Sequence, residues 1–186
     1  MPKDLPSPEM LRKLLRYEPE TGKLFWRERT PDMFTATEAR SAAHSCAQWN
    51  SRLAGKEAFT SDGGSGYLVG HIFDRRHSAH RIIWAMHTGA WPDKHIDHVD
   101  GDPSNNRIEN LREATHTENA WNRGAQENNT SGYKGVYWHK HKQKWVARIY
   151  KNRKQHHLGY FTCPKEAHAA YCKAAKELHG EYANTG

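Results

Sequence analysis

Apolar residues in this chain come in short runs, each ended by a polar turn, and no stretch is long enough to build one large core. Only 36% of the 186 residues are hydrophobic, and the mean hydropathy is −1.01. Seven Trp and eight Tyr carry much of the apolar bulk. This composition predicts several small cores rather than one. No run approaches the roughly 18 apolar residues of a membrane span, so no membrane partner is expected. The opening MPKDLPSPEM is followed by no apolar segment and does not read as a signal peptide. Cys46, Cys163 and Cys172 form no Cys-x-x-Cys pair. Neither a disulfide framework nor a Cys-built zinc site is therefore expected, and a reducing cytoplasm is the expected setting.

The formal charge is +7, and its placement is uneven. From Ser131 onward, eleven Lys and Arg stand against three acids, whereas the residues before it carry seventeen basic and eighteen acidic side chains. A basic module on a neutral body points to a polyanion such as nucleic acid. A solvated basic surface is the plainer alternative.

The patterns of short elements predict an α+β protein. Ser7-Pro8 and the spacing of Met10, Leu11, Leu14 and Leu15 predict a helix over 7–17. A turn and a strand over 23–29 follow, then a weakly patterned region, 30–52, with a helix around Thr37 to Trp49. Residues 62–66 form a loop, and 67–81 predict a hairpin turning at Asp74-Arg75-Arg76. HRIIWAMHTG predicts a helix closed by Gly89. A strand over 95–99, a polar loop, an extended Asn110-Leu111-Arg112 and a helix from Thr115 come next. Thr115 and Glu118 make a capping box at that helix start. Residues 124–130 read as a linker. YKGVYWHK, KWVARIYK and QHHLGYF predict three strands, and a helix between Pro164 and Gly180 follows. The implied organisation is a support region (1–94), a catalytic motif (95–123), a linker (124–130) and a sheet-plus-helix module (131–186).

Residues 95–123 are dense in Asp, Asn and His. One at a time, these residues read as turn formers. Asp97 and His98 are adjacent on a short strand, and Asn119 follows on a helix. A strand and helix packed together bring Asp97 and Asn119 within reach of one cation, and their hard oxygen atoms suit Mg²⁺ rather than zinc. His98 is then the candidate base for deprotonating a water that attacks phosphorus.

DHVDGDPSNNRIENLREATHTEN, with the upstream AHRIIWAMHTGAWP and LLRYEPETGKLFWR, resembles the HNH homing-endonuclease family of the ββα-metal fold. The resemblance implies a DNA phosphodiester hydrolase using Mg²⁺ or Mn²⁺, one ion per site, on Asp97 and Asn119. It implies His98 as general base and Asn110 as the central Asn, holding the loop and orienting His98 through its backbone. It further implies a product with a 5′-phosphate and a phage or bacterial mobile-element setting. Glu113-Ala114-Thr115 departs from the family's usual Trp-Val-Thr. One such site cuts one strand per engagement, so a monomer that nicks and a dimer both remain open. A DNA-binding regulator that keeps the shape without cutting is the alternative. Arg81, in the upstream segment, reads equally as a phosphate contact or a surface Arg, and His80 reads as a packed residue rather than a ligand.

In the basic module, Trp145, Ala147 and Ile149 share one face of a strand, while Lys144, Arg148 and Tyr150 share the other. The order YKGVYW…KWVARI…HHLGYF…EAHAAYCKAAKELHGEYA resembles the plant ethylene-response-factor (APETALA-type) DNA-binding domain over about residues 131–183. Gly135, Val136, Trp145, Ala147, Leu158, Gly159, Phe161, Ala170 and Tyr171 fit its scaffold. Tyr137 and His139 stand where that family has Arg, so the recognised sequence does not carry over. The resemblance implies double-stranded DNA as partner, and the candidate contacts are Tyr137, His139, Lys142, Lys144, Arg148, Tyr150, Arg153, Gln155 and His157.

Overall fold

The computed structural model describes residues 5–126 and 128–186. The first four residues of the MPKDLPSPEM stretch, and residue 127 of the expected linker, lie outside the described residues. The protein is α+β, and its contacts divide it into two units, residues 1–113 and 114–186. The boundary falls just before the helix that begins after Thr115, whereas the sequence reading placed a linker at 124–130.

The first unit opens with α1 (Pro8–Leu14), capped by the Ser7 side chain. The chain then turns directly into β1 (Leu15–Glu18), which pairs with β2 (Lys23–Trp26) in the register Leu15↔Trp26. The expected helix over 7–17 is therefore shorter. Leu14 and Leu15 are both buried in one core, and Leu15 takes an extended conformation because its backbone pairs with β2. The next helix is α2 (Ala42–Leu53), capped by Ser41. The expected start at Thr37 fails because Thr37 and Arg40 close a tight bridge of their own.

β3 (Glu57–Ala58) completes the sheet β1-β2-β3. A second sheet runs β4 (Ser61–Asp62), β5 (Leu68–Ile72) and β6 (Arg75–Ser78). Phe73 and Asp74 form the turn between β5 and β6, both with positive φ. Such a two-residue turn matches the twist of the strands it joins. Arg75 and Arg76 consequently belong to β6 and not to the turn. α3 (Ala79–Thr88) ends at Gly89 in the left-handed conformation, as expected. β7 (His95–His98) and β8 (Leu111–Ala114) form a two-stranded ribbon. One core of Leu11, Leu14, Leu15, Leu24, Ile72, Ile82, Ile83, Ile96 and Leu111 joins these elements.

The second unit begins with α4 (His116–Asn122), whose capping box between Thr115 and Glu118 is formed as the sequence predicts. β9 (Val136–His139), β10 (Lys144–Lys151) and β11 (Lys154–Phe161) follow, with β10 in the centre of an antiparallel sheet. α5 (Pro164–His179) packs Ala167, Ala170, Tyr171, Ala174 and Ala175 against Ala147, Ile149, Trp145 and Leu158. The small residues of α5 admit the close approach that the alternation of β10 anticipates.

The β1–β2 turn has a task beyond reversing the chain. Gly22 has φ +73°, and a Cβ there would lie 2.6 Å from the Arg107 nitrogen and 2.7 Å from the Asn106 carbonyl carbon. The Tyr17 hydroxyl accepts from the Ile108 N–H at 2.9 Å, and Arg107 Nε donates to the Glu20 carbonyl at 2.7 Å. This hairpin thus braces residues 106–108. Gly22→Ala is expected to cost about 1–2 kcal/mol from the left-handed backbone alone, with the clash added. Gly55→Ala, at φ +77° with nothing within 4 Å, isolates the backbone cost. Chemical denaturation of both variants checks this, and equal losses would show that the hairpin does not press on the loop.

Candidate active site and nucleic-acid interface

β7 buries Asp97 and His98, each 4% exposed, while His95 stays at the surface. A buried carboxylate requires a counter-charge. Arg112, on β8, supplies it: Nε and Nη2 both approach Asp97 Oδ2, at 2.9 and 2.8 Å. His98 Nε2 lies 3.0 Å from Asn106 Oδ1, and Asn106 is itself 1% exposed. The Asn106 amide nitrogen donates to the Ser104 carbonyl at 3.3 Å, which fixes its oxygen toward His98. An amide oxygen only accepts, so Nε2 is the donor in this bond. The His98 ring packs edge-on against His80 at 5.3 Å and tilted against Tyr67 at 5.8 Å.

Asn110 organises the loop between these strands. Its Oδ1 accepts from the Asp100 N–H at 3.0 Å, and its Nδ2 donates to Asp100 Oδ1 at 2.9 Å and to the Asn105 carbonyl at 2.8 Å. The Val99 N–H, next to His98, donates to the Asn110 carbonyl at 2.9 Å. Asp100 is tied further by Asn105 Nδ2 and by the Asp102 N–H. Burial opposes the charged Asp100 carboxylate, but hydrogen bonds from Asn105, the Asp102 N–H and Asn110 outweigh it and hold its pKa below the usual value. Burial, with His98 and Arg81 nearby, pushes His80 down to about 3. His80 is a neutral imidazole at neutral pH.

The donors offered to a cation are oxygens. Asp97 is a buried carboxylate already answered by one positive group, and Asn119 lies on α4 in the second unit. Hard oxygen donors of this kind fit Mg²⁺ or Mn²⁺. Among the described residues, no group of three or more His, Cys, Asp or Glu gathers as a metal site.

On the second unit, one face of the sheet is polar and aromatic. Arg148 lies over the Tyr137 ring at 4.5 Å and donates to Gln155 Oε1 at 3.3 Å, while the Tyr150 hydroxyl donates to the same oxygen at 2.6 Å. Lys142 lies over the Tyr160 ring at 4.0 Å, and His139 and His157 pack on that ring. Lys144 pairs across from His139. Arg153 sits with Asn152 in the β10–β11 turn, both at positive φ. Trp138, Tyr150 and Tyr160 are exposed.

Residues 77–121 match the HNH endonuclease family model, and residues 131–181 match the AP2 domain model. The chain carries an HNH endonuclease domain and an AP2 domain. It is also similar to Protein 3.8 of Escherichia phage T7, with 39% identity over 80 residues. That match covers 42% of this chain and 66% of the phage protein. No solved structure matches the chain.

Within the HNH domain, His98 pairs with Asn106 and Asp97 with Arg112. Asn110 acts on the loop through its side chain and on the residue after His98 through its carbonyl. Arg81 donates to the carbonyls of Lys94 and Pro92, at 3.2 Å each, and so braces the chain leading into β7. His80 is packed, as expected. Asn106, Arg112 and Tyr67 were not singled out by sequence reasoning. Asn106 and Arg112 stood in the motif strings, but nothing local marks which Asn reaches a histidine eight residues back. In the AP2 domain, Tyr137, Arg148, Tyr150 and Gln155 form one cluster. Lys142, His139 and His157 form another around Tyr160, the aromatic centre that the sequence reading missed.

The depressed His80 pKa makes stability pH-dependent. The unfolded chain binds a proton at this residue near pH 6.5, whereas the folded chain does so only near 3. Stability is therefore complete above pH 6.5 and falls as the pH drops toward 3. This residue contributes a slope of at most roughly 1.4 kcal/mol per pH unit. Denaturation at several pH values from 7 to 4 should give a shallower dependence for His80→Phe than for the natural chain. An unchanged dependence would show that His80 is not the buried neutral group described.

Proposed function

We propose that the chain is a metal-dependent endonuclease that hydrolyses DNA phosphodiester bonds, targeted to duplex DNA by the AP2 domain. His98 is its general base, and Asp97 with Asn119 holds Mg²⁺ or Mn²⁺. The pairing of these two ligands rests on the family resemblance. The observation that carries the reading is the buried hydrogen bond between His98 and Asn106. That bond orients the ring that would take a proton from the water attacking phosphorus, while the 3′-oxygen leaves and a 5′-phosphate remains. When bound, the cation would stabilise charge on the phosphate and on the departing oxygen. Asn106 holds the His98 ring. Asn110 holds the loop, and Arg112 pairs with the Asp97 carboxylate.

The AP2 sheet supports the targeting half of the proposal. Arg and Gln read base edges, exposed aromatics contact bases and sugars, and Lys meets phosphates. The polar cluster of Arg148, Tyr150 and Gln155 supplies the first group, and Lys142, Lys144 and Arg153 supply the last. Arg81 is retained only as a weak candidate for phosphate contact, because its guanidinium already serves two carbonyls. Similarity to a phage protein favours a phage or mobile-element setting. Among the described residues, no helix is long and apolar enough to cross a membrane.

A DNA-binding regulator that has lost cutting is separated from this reading by one substitution. His98→Ala should lower single-turnover cleavage by at least roughly 10²-fold and leave duplex affinity unchanged. Asn106→Ala should lower it by up to roughly 10²-fold, as for a misplaced reacting group. Cleavage by His98→Ala at the natural rate would remove His98 as the base. Absence of cleavage by the natural chain, with tight DNA binding, would favour the regulator.

A further inference from the structure

We propose that Trp121 and His179 are positioning residues for Asn119, so that the helix carrying this ligand is set in place by the AP2 domain. The inference rests on reading Asn119 as a metal ligand. α4 spans only seven residues. An isolated helix of that length does not persist in water, so its position depends on what it packs against. Its start is closed by its own capping box. Its end is held by residues that follow it by more than ten positions.

Three contacts do this. The Trp121 ring stacks on the His179 ring, with centroids 4.3 Å apart and planes within 6°. Lys134 Nζ donates to the Trp121 carbonyl at 2.6 Å, and Asn184 Nδ2 donates to the Asn122 carbonyl at 2.7 Å. Both are carbonyls of the last helical turn, which have no partner within the helix. His179, the last residue of α5, also donates from Nε2 to the Tyr150 carbonyl at 2.8 Å. Tyr150 belongs to β10 and to the polar cluster proposed to read DNA. A continuous path of packed and hydrogen-bonded groups thus runs from the reading strand through His179 and Trp121 to the turn that carries Asn119. Burial lowers the Lys134 ammonium pKa to about 8, consistent with a lysine committed to an internal carbonyl.

The consequence differs from a simple two-module design. The HNH family match ends at residue 121, yet the final helix of that motif is built onto the AP2 domain. Placement of Asn119 then depends on the AP2 domain, and removing residues 131–186 would take away the anchor of a ligand as well as the reader.

The test measures Mn²⁺ affinity of the full chain by electron paramagnetic resonance, alongside duplex affinity and thermal unfolding. Asn119→Ala and Trp121→Ala should each weaken Mn²⁺ binding by roughly tenfold or more, the usual effect of losing a ligand's support. Trp121→Phe, which keeps a stacked ring, should restore most of the affinity, and duplex binding should be unchanged in all three. Lys134→Met, at a half-buried position, tests the same anchor should Trp121→Ala fail to fold, and it should also weaken Mn²⁺ binding. Normal Mn²⁺ affinity in folded Trp121→Ala and in Lys134→Met, with weakened binding in Asn119→Ala, would overturn the positioning role while leaving the ligand. Normal affinity in Asn119→Ala would overturn the ligand and, with it, this inference.

Discussion

Asp97, His98, Asn106 and Asn110 are buried within one fourteen-residue stretch, and each must find a hydrogen-bonding partner or destabilise the fold. The first unit is arranged around that requirement. Arg112 answers Asp97, Asn106 answers His98, and Asn110 ties Asp100 and Asn105 into a closed loop. Leaving any one of these groups unpaired costs about 1–3 kcal/mol, and more for the carboxylate. The hydrogen bond from His98 to Asn106 within this network sets the direction of the His98 ring.

The neighbouring elements read as supports for this loop. The β1–β2 hairpin meets residues 106–108 through Gly22, Tyr17 and the Glu20 carbonyl. The loop before β5 approaches from another side, where Gly66 has φ +80° and a Cβ would fall 2.8 Å from the Pro103 ring. Arg81 braces the approach to β7 from α3. These are the contacts by which the N-terminal region, weakly patterned in sequence, positions a polar loop whose regular structure is one 3-10 turn, Ile108–Asn110.

Much of this was legible in the sequence because local chemistry dictated it. The capping box at Thr115, the glycine stop at Gly89 and the alternation of Trp145, Ala147 and Ile149 each need only a few neighbouring residues. What was illegible depended on distant backbone. Leu15 scans as helix, yet joins β1 because Trp26 waits across the strand. The turn at Phe73-Asp74 lacks the usual Asn-Gly signal and is imposed by pairing of β5 with β6. Asn106 and Arg112 sit in a recognisable motif, but their partners follow from the fold of the loop. The Trp121–His179 stack joins residues far apart in sequence, so the packing of α4 with the C-terminal residues had no local signal.

The HNH endonuclease and AP2 domains are recognisable in the chain, and the proposed nuclease chemistry centres on His98. The most direct test of this chemistry is single-turnover incubation of the full chain with end-labelled duplex DNA, in Mg²⁺ and in EDTA, with the ends of any product identified. The expected result is cleavage in Mg²⁺ alone, leaving 5′-phosphate and 3′-hydroxyl ends. Tight duplex binding without cleavage in Mg²⁺ or Mn²⁺, or cleavage that persists in EDTA, would contradict it.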